Sequence, residues 1–573
     1  MGTFNHLAAG CLGFLVGSIL IASPAAQQPA PAASPAEPGI PIADKTVQTA
    51  CSPCHRPDAQ GVMSRLSFRR NTPEGWEATV RRMVALNGLK IEPAAAREVV
   101  RYLSNHLGLA PEEVKPAAFE VERRMVDFKY AASRDTEQTC TACHSIGRVM
   151  LQRRTKEDWG LLVDMHRGWY PLSDFQAFRR TGPPQREPGP DGRPPDNRHP
   201  YEKALEHLTA AYPLRTPEWD AWSATMRAPK LEGTWAISGR ETGRGAIYGV
   251  MRVTPGATPE EFATELTYTY ARSGQSVTRK GRSYVYTGFQ WRGRSTQDGN
   301  DDTSLREVMA VDRDWQSMAG RWFTGGYDEL GIDVELKRVP AASPVVLGAS
   351  RTALRAGGSG QELRLFGANL PPTMGAKDLD FGPGISVSGV SAATPESVTV
   401  TVDVAAAAPV GPRDVVLGGV VKPAAVTVFD RVDYIKIGPE WAMARLGGVT
   451  FPKGLARFEA IGFHNGRDGK SGTNDDIELG IVDAKWSIEE YSAVLNDEDL
   501  KYVGTIDAAT GVFTPNVEGP NPERPGHANN VGDVWVVATH TAEGTKRPLR
   551  ARAHLLVTVP LYMRWGTEAQ TLQ

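Results

Sequence analysis

The sequence predicts a multidomain α + β chain in which an all-helical N-terminal part precedes three antiparallel β domains. Three observations carry this reading. The length, 573 residues, suits roughly three to five domains and not one core. Before residue 228 two matching segments carry apolar residues at helical spacing, and after it the pattern turns to strand-like alternation. Hydrophobic content of 41% with a net charge of -2 belongs to a folded chain, not a disordered one. Lys plus Arg is 64 against 66 for Asp plus Glu, which excludes nucleic-acid binding by bulk charge.

Residues 1–26 carry no charged side chain, and Leu12 to Ala22 is an apolar run too short to cross a bilayer comfortably. Pro24, Ala25 and Ala26 then supply small residues, so 1–26 reads as a signal peptide, with an N-terminal anchor as the alternative. Cys11 lies inside the apolar run, not after it, which argues against a lipoprotein. Residues 27–44 form an Ala/Pro-rich linker with little to bury. No later stretch is long and apolar enough to span, so the mature chain is expected to be secreted, with no membrane attachment after signal removal.

Beyond Cys11 only four cysteines remain, in two copies of one pattern: Cys51-Ser-Pro-Cys54-His55 and Cys140-Thr-Ala-Cys143-His144. C-x-x-C-H attaches a c-type haem, both thiols bonding one porphyrin while the adjacent imidazole faces the iron. A zinc site would want four soft ligands, and a thioredoxin-like pair has no need of a following His twice over. Two covalently bound haem c groups are therefore expected, with Cys51, Cys54, His55, Cys140, Cys143 and His144 holding them.

Each iron needs a sixth ligand or an open site. Thr72-Pro-Glu-Gly-Trp76-Glu-Ala-Thr-Val80-Arg-Arg-Met83 lines up without gaps on Thr155-Lys-Glu-Asp-Trp159-Gly-Leu-Leu-Val163-Asp-Met-His166. Both read as helices opening on a Thr cap with Glu in the first turn. Trp, Val, and Met or His at i, i+4 and i+7 share one face, which places Met83 over the first iron and His166 over the second. Met63 and His106 compete with Met83; Met165, Met150, His199 and His207 compete with His166. Helical neighbours diverge by about 100°, so only one of Met165 and His166 can face the iron. Val99-Val100-Arg-Tyr102-Leu103 and Ala204-Leu205-Glu-His207-Leu208 mark matching closing helices. Two tandem cytochrome c modules follow, 45–115 and 130–227, within a dihaem domain 45–227, and Gly182 to Pro200 is a Pro-rich inserted loop. Thioether ligation favours ferrous iron more than imidazole does, so the Met83 haem should have the higher potential.

From 228 to 340, Leu266, Tyr268 and Tyr270 alternate with polar residues, and Trp235, Trp291 and Trp322 add bulky packing groups, predicting an antiparallel, barrel-like domain. Short strands with turn signals at 343–428 have the texture of an immunoglobulin-like sandwich. The stretch 429–573 reads as a further β-rich domain. Other chemistry there is weak. The loop 465–478 offers Asp468, Asn474, Asp475, Asp476 and Glu478 as hard oxygens for calcium, but Arg467 and Lys470 oppose a cation and an ordinary turn is the simpler reading. Asp298 to Asp302 has the same status. His464, His527, His540 and His554 show no recurring ligand spacing, and there is no nucleophile motif, P-loop or dinucleotide fingerprint.

The paired C-x-x-C-H modules, the Trp-to-ligand helix repeat, Leu231-Glu-Gly-Thr-Trp235 through Gly245-Ala-Ile-Tyr-Gly249, and the Gly367-Ala-Asn369 segment together resemble the alpha subunit of quinohemoprotein amine dehydrogenase over 45–573. The resemblance implies a periplasmic complex of three chains that oxidises primary amines. In it a small gamma subunit bears a cysteine tryptophylquinone and a propeller-like beta subunit completes the site. The dihaem chain passes electrons to a soluble copper protein or cytochrome c. Carried over, His55 and Met83 would ligate one iron, and His144 and His166 the other. The mature chain has no cysteine to spare for a quinone, so no catalytic residue for amine oxidation is expected here. Rival readings are a stand-alone dihaem oxidoreductase, peroxidase-like or thiosulfate dehydrogenase-like, and an electron-transfer module with surface-binding β domains.

Overall fold

A computed structural model describes residues 37–117, 130–142, 144–190, 192–324, 330–341, 343–492, 497–542 and 547–560. The leader at 1–26, most of the linker and Cys143 lie outside the described residues.

The helical region is built as two related halves. Helix α1 (Lys45–Cys51) starts at Asp44, whose carboxylate accepts from the Val47 N–H at 2.8 Å. Strand β1 (Arg69–Asn71) leads into α2 (Pro73–Asn87), α3 (Pro93–His106) and the short α4 (Pro111–Val114). The second half repeats the plan: α5 (Arg134–Cys140), α6 (Gly147–Met150), β2 (Gln152–Arg154), α7 (Lys156–Trp169) and α8 (Pro200–Ala211), with α9 (Pro217–Thr225) following. Thr72 and Thr155 cap α2 and α7, accepting from Gly75 N–H and Asp158 N–H, each at 3.2 Å. Both tryptophans of the repeat are buried and do the same work. Trp76 donates from Nε1 to the Leu107 carbonyl (3.0 Å) and Trp159 to the Tyr212 carbonyl (3.1 Å), tying α2 and α7 to the ends of α3 and α8.

One element departs from the all-helical expectation. Strands β1 and β2 pair antiparallel in the register Arg69↔Arg154, Arg70↔Arg153 and Asn71↔Gln152. In the frame that aligns Thr72 with Thr155, this ribbon is symmetric about Arg70 and Arg153, so a local two-fold relates the halves. The extended residues before each cap cannot join a helix, and pairing them satisfies their backbone groups.

Eight strands then close a barrel: β3 (Gly233–Glu241), β4 (Gly245–Pro255), β5 (Glu261–Tyr270), β6 (Ser276–Tyr286), β7 (Gln290–Gln297), β8 (Asn300–Val311), β9 (Ser317–Thr324) and β10 (Leu330–Arg338). Each pairs antiparallel with its sequence neighbours, and β10 returns to β3. Period-two alternation sends Trp235, Trp291, Trp322 and Leu266 inward, so closure leaves no edge and fills the interior. Residues 343–430 form two four-stranded sheets facing one Val/Leu-rich core. A last β region shares a core of Val534, Val536, Leu555 and Phe513. Both later regions contain a parallel pairing, Ala353–Arg355 beside Val420–Phe429 and Trp441–Arg445 beside Leu549–Thr558, where only antiparallel strands were expected. In each case the pairing joins strands far apart in sequence, which need no hairpin.

Candidate functional site

The first C-x-x-C-H segment continues the turn of α1. His55 N–H donates to the Cys51 carbonyl at 2.8 Å, so Cys51 and His55 stand one helical turn apart on one side. They open onto a cleft that encloses about 930 Å³ of non-atom space, open solvent at its mouth included. Met83 lines the same cleft from α2, together with Leu66, Val80 and Leu103. The wall is completed by the other half of the molecule: Leu162, Met165 and Trp169 of α7 reach across to it. Burial, then the neighbouring Cys54, pushes the Cys51 thiol up to about 11. Burial also lowers His55, against the raising effect of the Ser64 backbone. Cys54 is exposed.

At the second motif, the His144 and His166 rings lie with centroids 6.4 Å apart and planes tilted by 39°. His144 donates from Nδ1 to the Ser145 carbonyl (2.9 Å), and His166 from Nδ1 to the Leu162 carbonyl (2.8 Å). Both rings are thereby held in the tautomer whose Nε2 carries the lone pair. Burial lowers both, His144 to about 4, and pushes the Cys140 thiol up to about 12. Phe178 stands edge-on to His166 at 5.9 Å, carried by a single turn at Asp174–Phe178. Sequence spacing gave no signal for that aromatic wall.

The competing ligands go elsewhere. Met63 is fully buried in the first core, His106 lies tilted against Tyr102 at 4.3 Å, and His207 bonds the Tyr130 hydroxyl. His199 begins α8 and stacks on Tyr201, while Met150 packs among apolar residues of the second half. Met165 and His166, adjacent in sequence, serve different sites, as their angular divergence on α7 requires. Sequence reasoning also missed Arg65, Arg69, Arg82 and Arg154, which line the first cleft. The available signal was the doublets Arg69-Arg70, Arg81-Arg82 and Arg153-Arg154 inside and beside the repeat.

The oxygens of the 465–478 loop are consumed locally: Asp475 accepts from Arg467 and Asp468 N–H, and Asp476 from Gly472 and Thr473 N–H and the Tyr434 hydroxyl. Asp298 and Gly299, both at positive φ, make the turn between β7 and β8. Among the described residues no three His, Cys, Asp or Glu side chains gather as a metal site, and no helix is long and apolar enough to cross a membrane.

No curated protein matches the chain. Among solved structures, a redesigned β barrel is 17% identical, spanning 19% of this chain and 92% of its own, with a TM-score of 0.17. A de novo fluorescence-activating β barrel is 20% identical over 19% and 93% of the chains, TM-score 0.16. The tandem Ig repeats of Dlar are 11% identical over 38% and 100%, TM-score 0.12. Four family models match in succession. They are the haem-binding domain of quinohemoprotein amine dehydrogenase alpha subunit at 42–182, and its domains II at 228–339, III at 343–430 and IV at 435–569. Together they account for most of the chain, in the order of the helical region, barrel, facing sheets and last β region. The chain therefore belongs to the alpha-subunit family of quinohemoprotein amine dehydrogenase, as the haem-binding, electron-transfer subunit of a multisubunit oxidoreductase.

Proposed function

We propose that this chain carries two covalently attached haem c groups and is the electron outlet of a three-chain periplasmic amine dehydrogenase. The observation that carries the proposal is the His144–His166 pair. Two neighbouring imidazoles, each with a free Nε2, would hold a haem iron between them. The separation here is 6.4 Å, and each Nε2 holds the lone pair. The first cleft offers a different donor set, with Cys51 and His55 on one wall and Met83 on another. Both sets fit a c-type haem.

Cys51, Cys54, Cys140 and Cys143 would form the thioether links. His55 and His144 would be the ligands beside them, and Met83 and His166 the sixth ligands. Haem iron, when bound, supplies one-electron transfer. The Ser145 and Leu162 carbonyls orient the two imidazoles of the second site, and Phe178 helps keep water from it. With Met83 and His166 also holding the irons, neither haem would keep an open position for peroxide, which sets this reading apart from a stand-alone dihaem enzyme. With every cysteine after the leader committed, the amine-oxidising quinone belongs on a small gamma subunit beside a propeller-like beta subunit. Electrons then leave to a soluble copper protein or cytochrome c. The leader at 1–26 supports export, the facing sheets at 343–428 suit an immunoglobulin-like domain, and the three β domains act as scaffold.

The test is native mass spectrometry and redox titration of the purified complex. Two haems on this chain, two smaller partner chains and a quinone on one partner are expected. Amine oxidation by this chain alone, or fewer than two attached haems, would refute the proposal.

A further inference from the structure

Four guanidinium groups line the first cleft: Arg65, Arg69, Arg82 and Arg154. Asp158 is the one carboxylate among the described residues that reaches any of them, ion-paired to Arg154 and 3.4 Å from Arg65. Arg69 and Arg82 have none within ion-pairing distance, although Asp158 acts on Arg69 from further off. Arg69, 8% exposed, lies over the Trp76 ring at 4.7 Å, and Arg82 over Trp169 at 5.6 Å. The Nε of each is buried without a hydrogen-bond acceptor. Arg69 is a buried cation without an ion-pair partner and with an unmet Nε, and the half-buried Arg82 also has an unmet Nε, so the two suit an anion. The rest of the wall, Leu66, Val80 and Leu103, is apolar. The missing partner therefore has a flat apolar body and carboxylates at its edge.

Resting on the haem assignment above, we propose that Arg69 and Arg82 receive the two propionates of the haem held by Cys51, Cys54 and His55. Guanidinium groups suit this task because their donors match a carboxylate in fork geometry. The repeat shows that the device belongs to one site. Aligned on Thr72 and Thr155, Arg69 corresponds to Gln152 and Arg82 to Met165, so the second half lacks both charges. Positive charge disfavours the ferric state, so Arg69 raises the potential of the first haem beyond what its thioether ligand does.

The experiment is a redox titration of the native complex carrying Arg69→Gln. The high-potential step is expected to fall by at least tenfold in the oxidised-to-reduced ratio, which is about 59 mV for one electron, while the low-potential step stays. Arg69→Lys should recover more than half of the shift, which a packing role would not. Arg82→Met, bearing the residue of the other half, should also lower the high-potential step and serves if Arg69→Gln does not accumulate. The far-red ferric thioether band reads Met83 ligation separately, and its loss in these variants counts against the assignment. A high-potential step that stays in place, or an equal shift of both steps in Arg69→Gln, overturns it. If the unaltered complex carries no haem on Cys51 and Cys54, it is the haem assignment that fails. With two haems present and unmoved variants, only the arginine assignment fails.

Discussion

Met83 and Met165 both present a thioether to the first cleft, one from each half of the helical region. Position on the helix separates their roles. Met83 shares the face of the buried Trp76 and Val80, which anchor α2, whereas Met165 lies off the Trp159 face and beside the second imidazole pair. Met83→Ala is therefore expected to abolish the high-potential step and to let the reduced protein bind carbon monoxide, while Met165→Ala leaves the titration unchanged. The opposite pattern would exchange the two assignments, and no effect from either would remove thioether ligation altogether. At this scale the motifs were readable because covalent attachment demands a spacing that sequence shows directly. The arginines were not, because nothing in Arg69 or Arg82 says whether a long cation points to solvent or lies over an indole.

The ribbon of β1 and β2 sits over a buried knot that joins the halves. Arg70, with no side-chain exposure, donates to the Leu214 carbonyl (2.7 Å), to the Gly108 carbonyl (2.9 Å) and to both oxygens of Glu113 (2.8 and 2.9 Å). Glu113 also faces Arg153 at 2.9 Å and accepts from the Thr216 hydroxyl. Burial pushes the Glu113 carboxyl up, but Arg70 and Arg153 outweigh it and hold the group below its ordinary value. A depressed carboxyl stabilises the fold above the unfolded pKa, about 4.3, and that contribution is lost as pH falls through the folded value. Glu113→Gln leaves Arg70 buried without its counter-ion and is expected to cost about 3–5 kcal/mol at neutral pH. It should also flatten the acid limb of stability below about pH 4.3. Denaturant melts followed in the Soret band test both, and an acid limb as steep as that of the unaltered chain would falsify the role of Glu113. Helix positions were legible from the Thr caps and Trp spacing, while this knot was not, since its partners lie 43 and 146 residues from Arg70.

Across the whole molecule, the succession of helices, barrel, facing sheets and last β region was legible because period-two alternation starts near residue 228 and turn residues punctuate it. How those regions hold one another was not, because it depends on a few charged residues at loop ends. At one mouth of the barrel the pairing is reciprocal. Glu241 of β3 binds Arg457 of the last β region, and Glu459 of that region binds Arg240 of β3 at 2.5 Å and the Gly243 N–H at 3.1 Å. Both carboxylates are nearly buried, at 4% and 6% side-chain exposure, so water cannot replace the partner that leaves. Hydrogen bonds to charged groups contribute about 1.5–3 kcal/mol each, and the partly exposed Arg240 puts its pair at the low end of that range. No disulfide backs up this joint, because Cys51, Cys54 and Cys140 are unpaired and Cys143 belongs to the second C-x-x-C-H. Replacing both carboxylates, Glu241→Gln with Glu459→Gln, should therefore uncouple the barrel from the last β region. Calorimetry of the double variant is expected to resolve two β transitions, with the Soret-monitored melt of the helical region unmoved. A single β transition at the original midpoint would mean that the remaining contacts, the Arg272–Asp483 pair among them, join the two, and that the reciprocal ion pairs add nothing to the assembly of the chain.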